Sequence, residues 1–219
     1  MSAPTLRRDG DVLVLDLGDD ENRFSPGWMA AVTAHLEAVE RTPGPRALVT
    51  TASGRFFSNG LQVERLTGAP EERDAYLRTV ERLLARVLAL PVVTVAAVPG
   101  HAFGGGAMLA LAHDLTVMRA DRGFWCLPET EIGLSFTPGM TALVQARLAP
   151  RTAHESMVTS RRYGGADAAA AGIVDEAAPE DLVLSRALEV ARAHAAKAAD
   201  VLGETKARMH AEALRLLRG

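Results

Sequence analysis

Residues 92–114, VVTVAAVPGHAFGGGAMLALAHD, constrain this chain more than any other stretch. VVTVAAV (92–98) is a nearly continuous apolar run rich in valine, the pattern of a strand covered on both faces. Pro99–Gly100 turns the chain, and the apolar segment that follows reads as a helix starting within 104–106 and running to His113. Adjacent glycines expose backbone N–H groups and allow close approach. A helix start adds unpaired amides and a dipole that favours negative charge. The triplet alone fits a packing turn equally well. It is not a P-loop, because GxxxxGK[ST] is absent, and it lacks GxGxxG.

Around this stretch, apolar strands alternate with helical patterns, which predicts an α/β fold. VLVLDLG (12–18), RALVTTA (46–52) and LTVMRA (115–120) read as strands, and a brief strand is expected at Ile173–Val174. Trp28 to about Glu40 and residues 71–90 carry helical spacing, the latter bounded by Pro91. MTALVQARL and TAHESMVTSRRY continue as helices, and the alanine-, leucine-, arginine- and glutamate-rich end from 180 holds one or two more. No internal repeat is visible. The 219 residues suit one domain, with 1–178 as core and 179–219 as a helical region packed on it or on a neighbouring subunit.

A net charge of -3 provides no basic field, so neither nucleic acid nor an anionic membrane is an expected partner. Pro91, Pro99, Gly100 and glycines 104–106 interrupt the apolar stretches before either can span a bilayer, and a cytoplasmic location is the expectation. Cys126 is the single cysteine, which excludes an intrachain disulfide and a thiolate metal site; no histidine spacing indicates zinc. His101, His113–Asp114 and Cys126 are read as structural, and the serines lack a G-x-S-x-G elbow.

Taken in order, NRFS, GRFFSNGLQVERL, VPGHAFGGGAMLALAHDLTVMRADRGFWCLPETEIGL and AAAAGIVDE resemble the crotonase (enoyl-CoA hydratase and isomerase) superfamily over nearly the whole chain. The resemblance implies a crotonase-type ββα spiral with a helical C-terminal region, assembled as a trimer or dimer of trimers. It implies an acyl- or enoyl-CoA thioester as substrate, with coenzyme A part of that substrate and no separate cofactor or metal. Two backbone amides, of Leu61 after Gly60 and of Gly105 in the triplet, would form an oxyanion hole. Such donors stabilise the charge that develops on the thioester oxygen more than the neutral carbonyl.

Hydratases of the family use two glutamates. The position of the first is Met108 here, and the position of the second is Glu129. Methionine can neither orient water by a charge-assisted hydrogen bond nor act as a base, so hydration is disfavoured. FWCLPETEIGL is similar to the Δ3,Δ2-enoyl-CoA isomerases, in which a glutamate at the Glu129 position is the single base. Burial beside Phe124, Trp125 and Leu127 would raise its pKa. Glu131 is the competing base, since residues two apart on an extended segment share a side. The resemblance further implies that Arg23, Phe56, Ser58, Gly60 and Arg65 lie on the coenzyme A side, and that Leu61, Met108, Leu134 and Phe136 line the acyl pocket. The expected activity is a shift of a 3-enoyl double bond to the 2-trans position. The alternatives are another reaction of the same family (hydration, thioester hydrolysis or decarboxylation) or a silent acyl-CoA-binding protein.

Overall fold

A computed structural model describes residues 3–219. Six strands form one sheet: β1 (Thr5–Asp9), β2 (Val12–Asp16), β3 (Ala47–Thr51), β5 (Val93–Val98), β7 (Leu115–Arg119) and β9 (Glu176–Ala178), in the order β1-β2-β3-β5-β7-β9. Only the β1–β2 pairing is antiparallel. A second, parallel sheet is built from three short strands, β4 (Phe56–Ser58), β6 (His101–Phe103) and β8 (Trp125–Cys126), in that order.

Both faces of the large sheet are covered, as the valine-rich run requires. Along the parallel strands Leu13, Leu15, Leu48, Ala96, Val98 and Met118 enter the main core. That core also takes residues of α1 (Pro26–Arg41), α2 (Pro70–Leu88) and α3 (Gly105–Ala112). The intervening Val12, Val14, Val49, Val95, Ala97 and Val117 pack with Val183, Ala187, Leu188 and Ala191 of α7 (Val183–His194). Period-two alternation therefore divides one strand set between two apolar layers. The helical C-terminal region supplies the second layer through α7, while α9 (Ala211–Arg218) packs on α2 and on α4 (Pro138–Arg147).

Although no repeat is visible in the sequence, the topology repeats. Each of β3, β5 and β7 in the large sheet turns a corner into β4, β6 or β8 in the small sheet, and each pair is followed by a helix (α2, α3 or α4). The corners stack: the His101 amide donates to Arg55 O at 3.0 Å, and a Cβ built on Gly100 would lie 2.1 Å from that same oxygen. Only glycine lets consecutive corners approach this closely. The pattern is the ββα spiral expected from the resemblance.

Three element assignments are corrected. Ile173 and Val174 are not a strand. Gly172 sits at φ +69°, and the Ile173 amide bonds back to Ala168 O at 2.8 Å, which closes α6 (Gly165–Ala170) and turns both side chains into the core. The ladder starts later, where Glu176 meets Val117. The C-terminal region holds three α-helices, since α8 (Asp200–Met209) is separated from α7 by a short 3-10 turn and from α9 by His210. The expected 150s helix is α5 (Pro150–Thr159) and stops before Arg161, where Tyr163 instead bridges Trp125.

Candidate active site

At the C-terminal ends of the small-sheet strands lies a cavity of about 230 Å3. One wall is the first loop, with Arg23, Asn59, Leu61 and Val63; the floor is Phe103, Gly104 and Cys126; the other wall is Pro128, Glu129, Ile132, Leu134 and Arg162.

The first loop is held by Asn22, which is buried at φ +50°. Its Nδ2 donates toward the carbonyls of Gly18, Phe56 and Phe57 at 3.1–3.2 Å. The Asn59 amide donates to Glu21 O and the Phe24 amide to Gly60 O, both at 2.8 Å. Gly60 then passes directly over the start of α3. It adopts φ +72°, and a Cβ there would stand 2.6 Å from Phe103 O and 2.7 Å from Gly105 N. No side chain fits such an approach, so the turn that carries Leu61 rests on the turn that carries Gly105. Among the described residues, neither the Leu61 nor the Gly105 amide donates to a backbone carbonyl in these turns.

Glu129 is 4% exposed, and among the described residues neither carboxylate oxygen has a side-chain hydrogen-bond partner. Its Oε1 lies 3.1 Å from where a Cβ on Gly104 would stand, so the carboxylate faces the glycine run. Gly104 is fixed in turn by donation to Cys126 O at 3.0 Å. Removal from water raises the Glu129 carboxyl from 4.5 to about 7. Phe124 has no part in that burial: it is 40% exposed and packs against His101, away from the cavity.

Several expected positions are corrected. Glu131 does not share a side with Glu129, because the segment turns instead of extending. The Ile132 amide reaches Pro128 O at 3.0 Å, and the Leu134 amide reaches Glu129 O at 2.8 Å. Glu131 consequently projects into solvent, 3.9 Å from Arg162. Met108 is sealed in the main core on a helix whose eight residues are all buried, and it gives the cavity no surface. Phe136 packs on the edge of that core and also lies outside the lining. Leu61 and Leu134 do line the cavity.

On the expected coenzyme A side, Ser58 is fully buried, donating to Asn22 O at 2.7 Å and accepting from the Gly60 amide at 3.1 Å; its hydroxyl braces the loop and faces no ligand. Phe56 packs with His101 and Phe103 on the small sheet, and it too lies outside the lining. Arg23 and Arg65 share an adjoining cavity of about 540 Å3, in company with Asp20, Glu21 and Glu64. Arg23 pairs with Glu21 and, at 3.6 Å, with Glu64, so the two arginines do not create a positive field there.

His113 and Asp114, read as structural, are engaged elsewhere. His113 is buried between Leu109 O and Thr50 Oγ1, and burial lowers it to about 4. Asp114 accepts from Thr94 and pairs with buried Lys206. Cys126 reaches the cavity, but burial raises its thiol to about 11. Among the described residues no cluster of three or more His, Cys, Asp or Glu is placed to hold a metal, and no helix is long and apolar enough to cross a membrane. Asn22 and Arg162 were not singled out from sequence: the first sits in the NRFS motif without any local mark, and the second is one of two arginines in a polar run.

The enoyl-CoA hydratase/isomerase family model matches residues 8–218. This chain belongs to that family. Among its relatives, the peroxisomal enoyl-CoA delta isomerase 2 of Arabidopsis thaliana is 38% identical over 183 residues, covering 80% of this chain and 76% of the relative. A putative enoyl-CoA hydratase of Thermus thermophilus is 36% identical over 205 residues, covering 90% and 79%. Among solved structures, the apo Mtb enoyl-CoA isomerase superposes with a TM-score of 0.90 at 30% identity, covering 98% of this chain and 94% of that one. Human mitochondrial delta3-delta2-enoyl-CoA isomerase superposes with a TM-score of 0.89 at 26% identity, covering 98% and 86%. The family names span isomerases and hydratases, so the reaction has to be argued from this chain's own residues.

Proposed function

We propose that this member of the family is a Δ3,Δ2-enoyl-CoA isomerase acting on an acyl-CoA thioester through a single glutamate. The observation that carries the reading is the Glu129 carboxylate, unpartnered and buried beside the glycine run, as the only acidic side chain lining the cavity among the described residues. The place where a hydratase would carry the other of its two glutamates is Met108, enclosed in the core.

In this reading the thioester oxygen accepts from the Leu61 and Gly105 amides, the second at the positive end of α3. Ionised Glu129 takes a proton from C2. The C–H electron pair becomes the enolate, whose charge rests on the thioester oxygen. As the carbonyl re-forms, the electrons close a C2=C3 double bond, and the old C3=C4 pair takes the proton from Glu129 at C4. One carboxylate suffices because the proton leaves and returns within one pocket, and excluding water strengthens the electrostatics. A carboxyl held at about 7 is suited to both halves, since it accepts and gives up a proton with little bias.

The test is incubation with a 3-enoyl-CoA, following the conjugated 2-enoyl thioester, beside Glu129→Gln. Conversion by the native protein and its loss in the variant is the expected result. Conversion that survives in the variant removes Glu129 from the role. No conversion with short or long acyl chains overturns the isomerase reading.

A further inference from the structure

The small sheet gives the cavity a direction. Asn59 follows β4, Phe103 ends β6 and Cys126 ends β8. Beyond β8, Tyr163 bridges Trp125 with paired hydrogen bonds of 2.9 Å, which makes 162–163 the next rung of the same sheet. Crossing the cavity from the Leu61 wall therefore leads past Gly104 and Glu129 to Arg162.

Arg162 differs from its neighbour. Arg161 is taken up by Glu155, by Asp167 and by the ring of Tyr163 at 4.6 Å. Among the described residues Arg162 has one ion-pair contact, to Glu131 at 3.9 Å, with both side chains more than half exposed. A pair at that distance and exposure contributes little and releases its partner readily. Arg162 and the Cys126 thiol line the same cavity, and the guanidinium opposes the effect of burial on that thiol. On the side of the cavity that carries Glu129 and this arginine, the other lining residues Pro128, Ile132 and Leu134 are apolar. An apolar lining that includes a guanidinium suits a short methylene chain terminated by an anion. A wholly hydrocarbon tail would have to strip water from the guanidinium without replacing its hydrogen bonds.

We propose that Arg162 binds a carboxylate at the far end of the acyl group, so that the substrates are short unsaturated thioesters of coenzyme A whose acyl chain is terminally acidic. The inference rests on the isomerase reading for the direction of the acyl chain. Two strand spacings separate the β6 end from residue 162, roughly 10 Å. About six carbons and one hydrogen bond span that distance, in keeping with a compact cavity. A guanidinium fork can take the carboxylate in bidentate fashion. It would also offset the repulsion between that carboxylate and ionised Glu129. A reaction that leaves a monothioester of an unsaturated dicarboxylic acid would then supply the substrate.

The test compares 3-hexenedioyl-CoA (the monothioester) with 3-hexenoyl-CoA in turnover, and their saturated counterparts adipoyl-CoA and hexanoyl-CoA in calorimetric binding. The native protein is expected to favour the acid in both assays. In Arg162→Gln the ratio of kcat/KM for acid over neutral substrate should fall roughly 10–100-fold, the range for a hydrogen bond to a charged group, and Arg162→Lys should recover part of it. Equal loss for both thioesters would assign Arg162 to coenzyme A or to the fold and overturn the inference, as would turnover of both without preference. Arg162-dependent binding of adipoyl-CoA without turnover of either 3-enoyl thioester would defeat the isomerase reading while leaving the anion anchor standing.

Discussion

Replacing Glu129 by glutamine should make the protein more stable, by an amount that grows with pH. The carboxyl sits at about 7 in the fold against an ordinary 4.5, because burial disfavours its charged form and only its own backbone amide opposes that, in small part. Below 4.5 the group is protonated whether the chain is folded or not, and it contributes nothing. Between 4.5 and 7 the unfolded chain gives up the proton while the folded one keeps it, so the folded state binds more protons and loses stability as pH rises. At about 1.4 kcal/mol per pH unit the full penalty above pH 7 is about 3 kcal/mol. Glutamine has the same shape and does not titrate. The stability difference, variant minus native, should therefore grow from about 1 kcal/mol at pH 5 to about 3 kcal/mol at pH 8. Urea unfolding at matched pH values measures it, and the difference cancels every other titrating group. In melting temperature it corresponds to roughly 2–4 °C per kcal/mol for a chain of this size. Two parallel stability curves would refute the reasoning, because they would mean that Glu129 reaches water or finds a donor. For the proposed isomerisation the same shift predicts a kcat/KM that climbs with pH, is half-maximal near pH 7 and levels off about one pH unit higher, since the base must be ionised.

Two other substitutions probe the frame that holds this carboxylate. Gly60→Ala places a Cβ against Phe103 O and Gly105 N at a positive φ, so it should lower stability by about 2 kcal/mol or more in urea unfolding, and isomerisation should fall at least as steeply as folded protein does. Lys206→Ala removes the donor that bonds Val92 O at 2.6 Å and pairs with Asp114; leaving that carboxylate without its cation should cost about 3 kcal/mol, read from the urea midpoint. A loss below a few tenths of a kcal/mol would show that water replaces the lysine.

Much of the frame was legible because it depends on local pattern. The run 92–98 has to be enclosed on both faces, and it is, with α7 completing the second layer. Pro99–Gly100 marks a corner, and the glycine run starts a helix at Gly105. What escaped was short or set by distant partners. Strands of two or three residues, such as Trp125–Cys126, leave no periodicity to read. Their repetition across three corners appears only when Arg55, Gly100 and Gly123 are seen stacked. Ile173 and Val174 look like a strand by composition, yet a left-handed glycine before them bends the chain back onto Ala168.

The same division runs through the site. By itself the amino-acid sequence determined which groups are available: a glycine turn at 60, a glycine triplet, methionine at 108 and a carboxylate at 129. Their kinship with the enoyl-CoA family was readable from order alone. Only the tertiary structure decided which of them meet. It seats Gly60 on Gly105, turns Glu131 outward while Glu129 stays dry, and seals Met108 away. It also brings Arg162, more than thirty residues beyond Glu129, into the lining of the same cavity. The physical reason is that a side chain's identity is local, whereas its desolvation and its partners are properties of whatever else the fold packs around it.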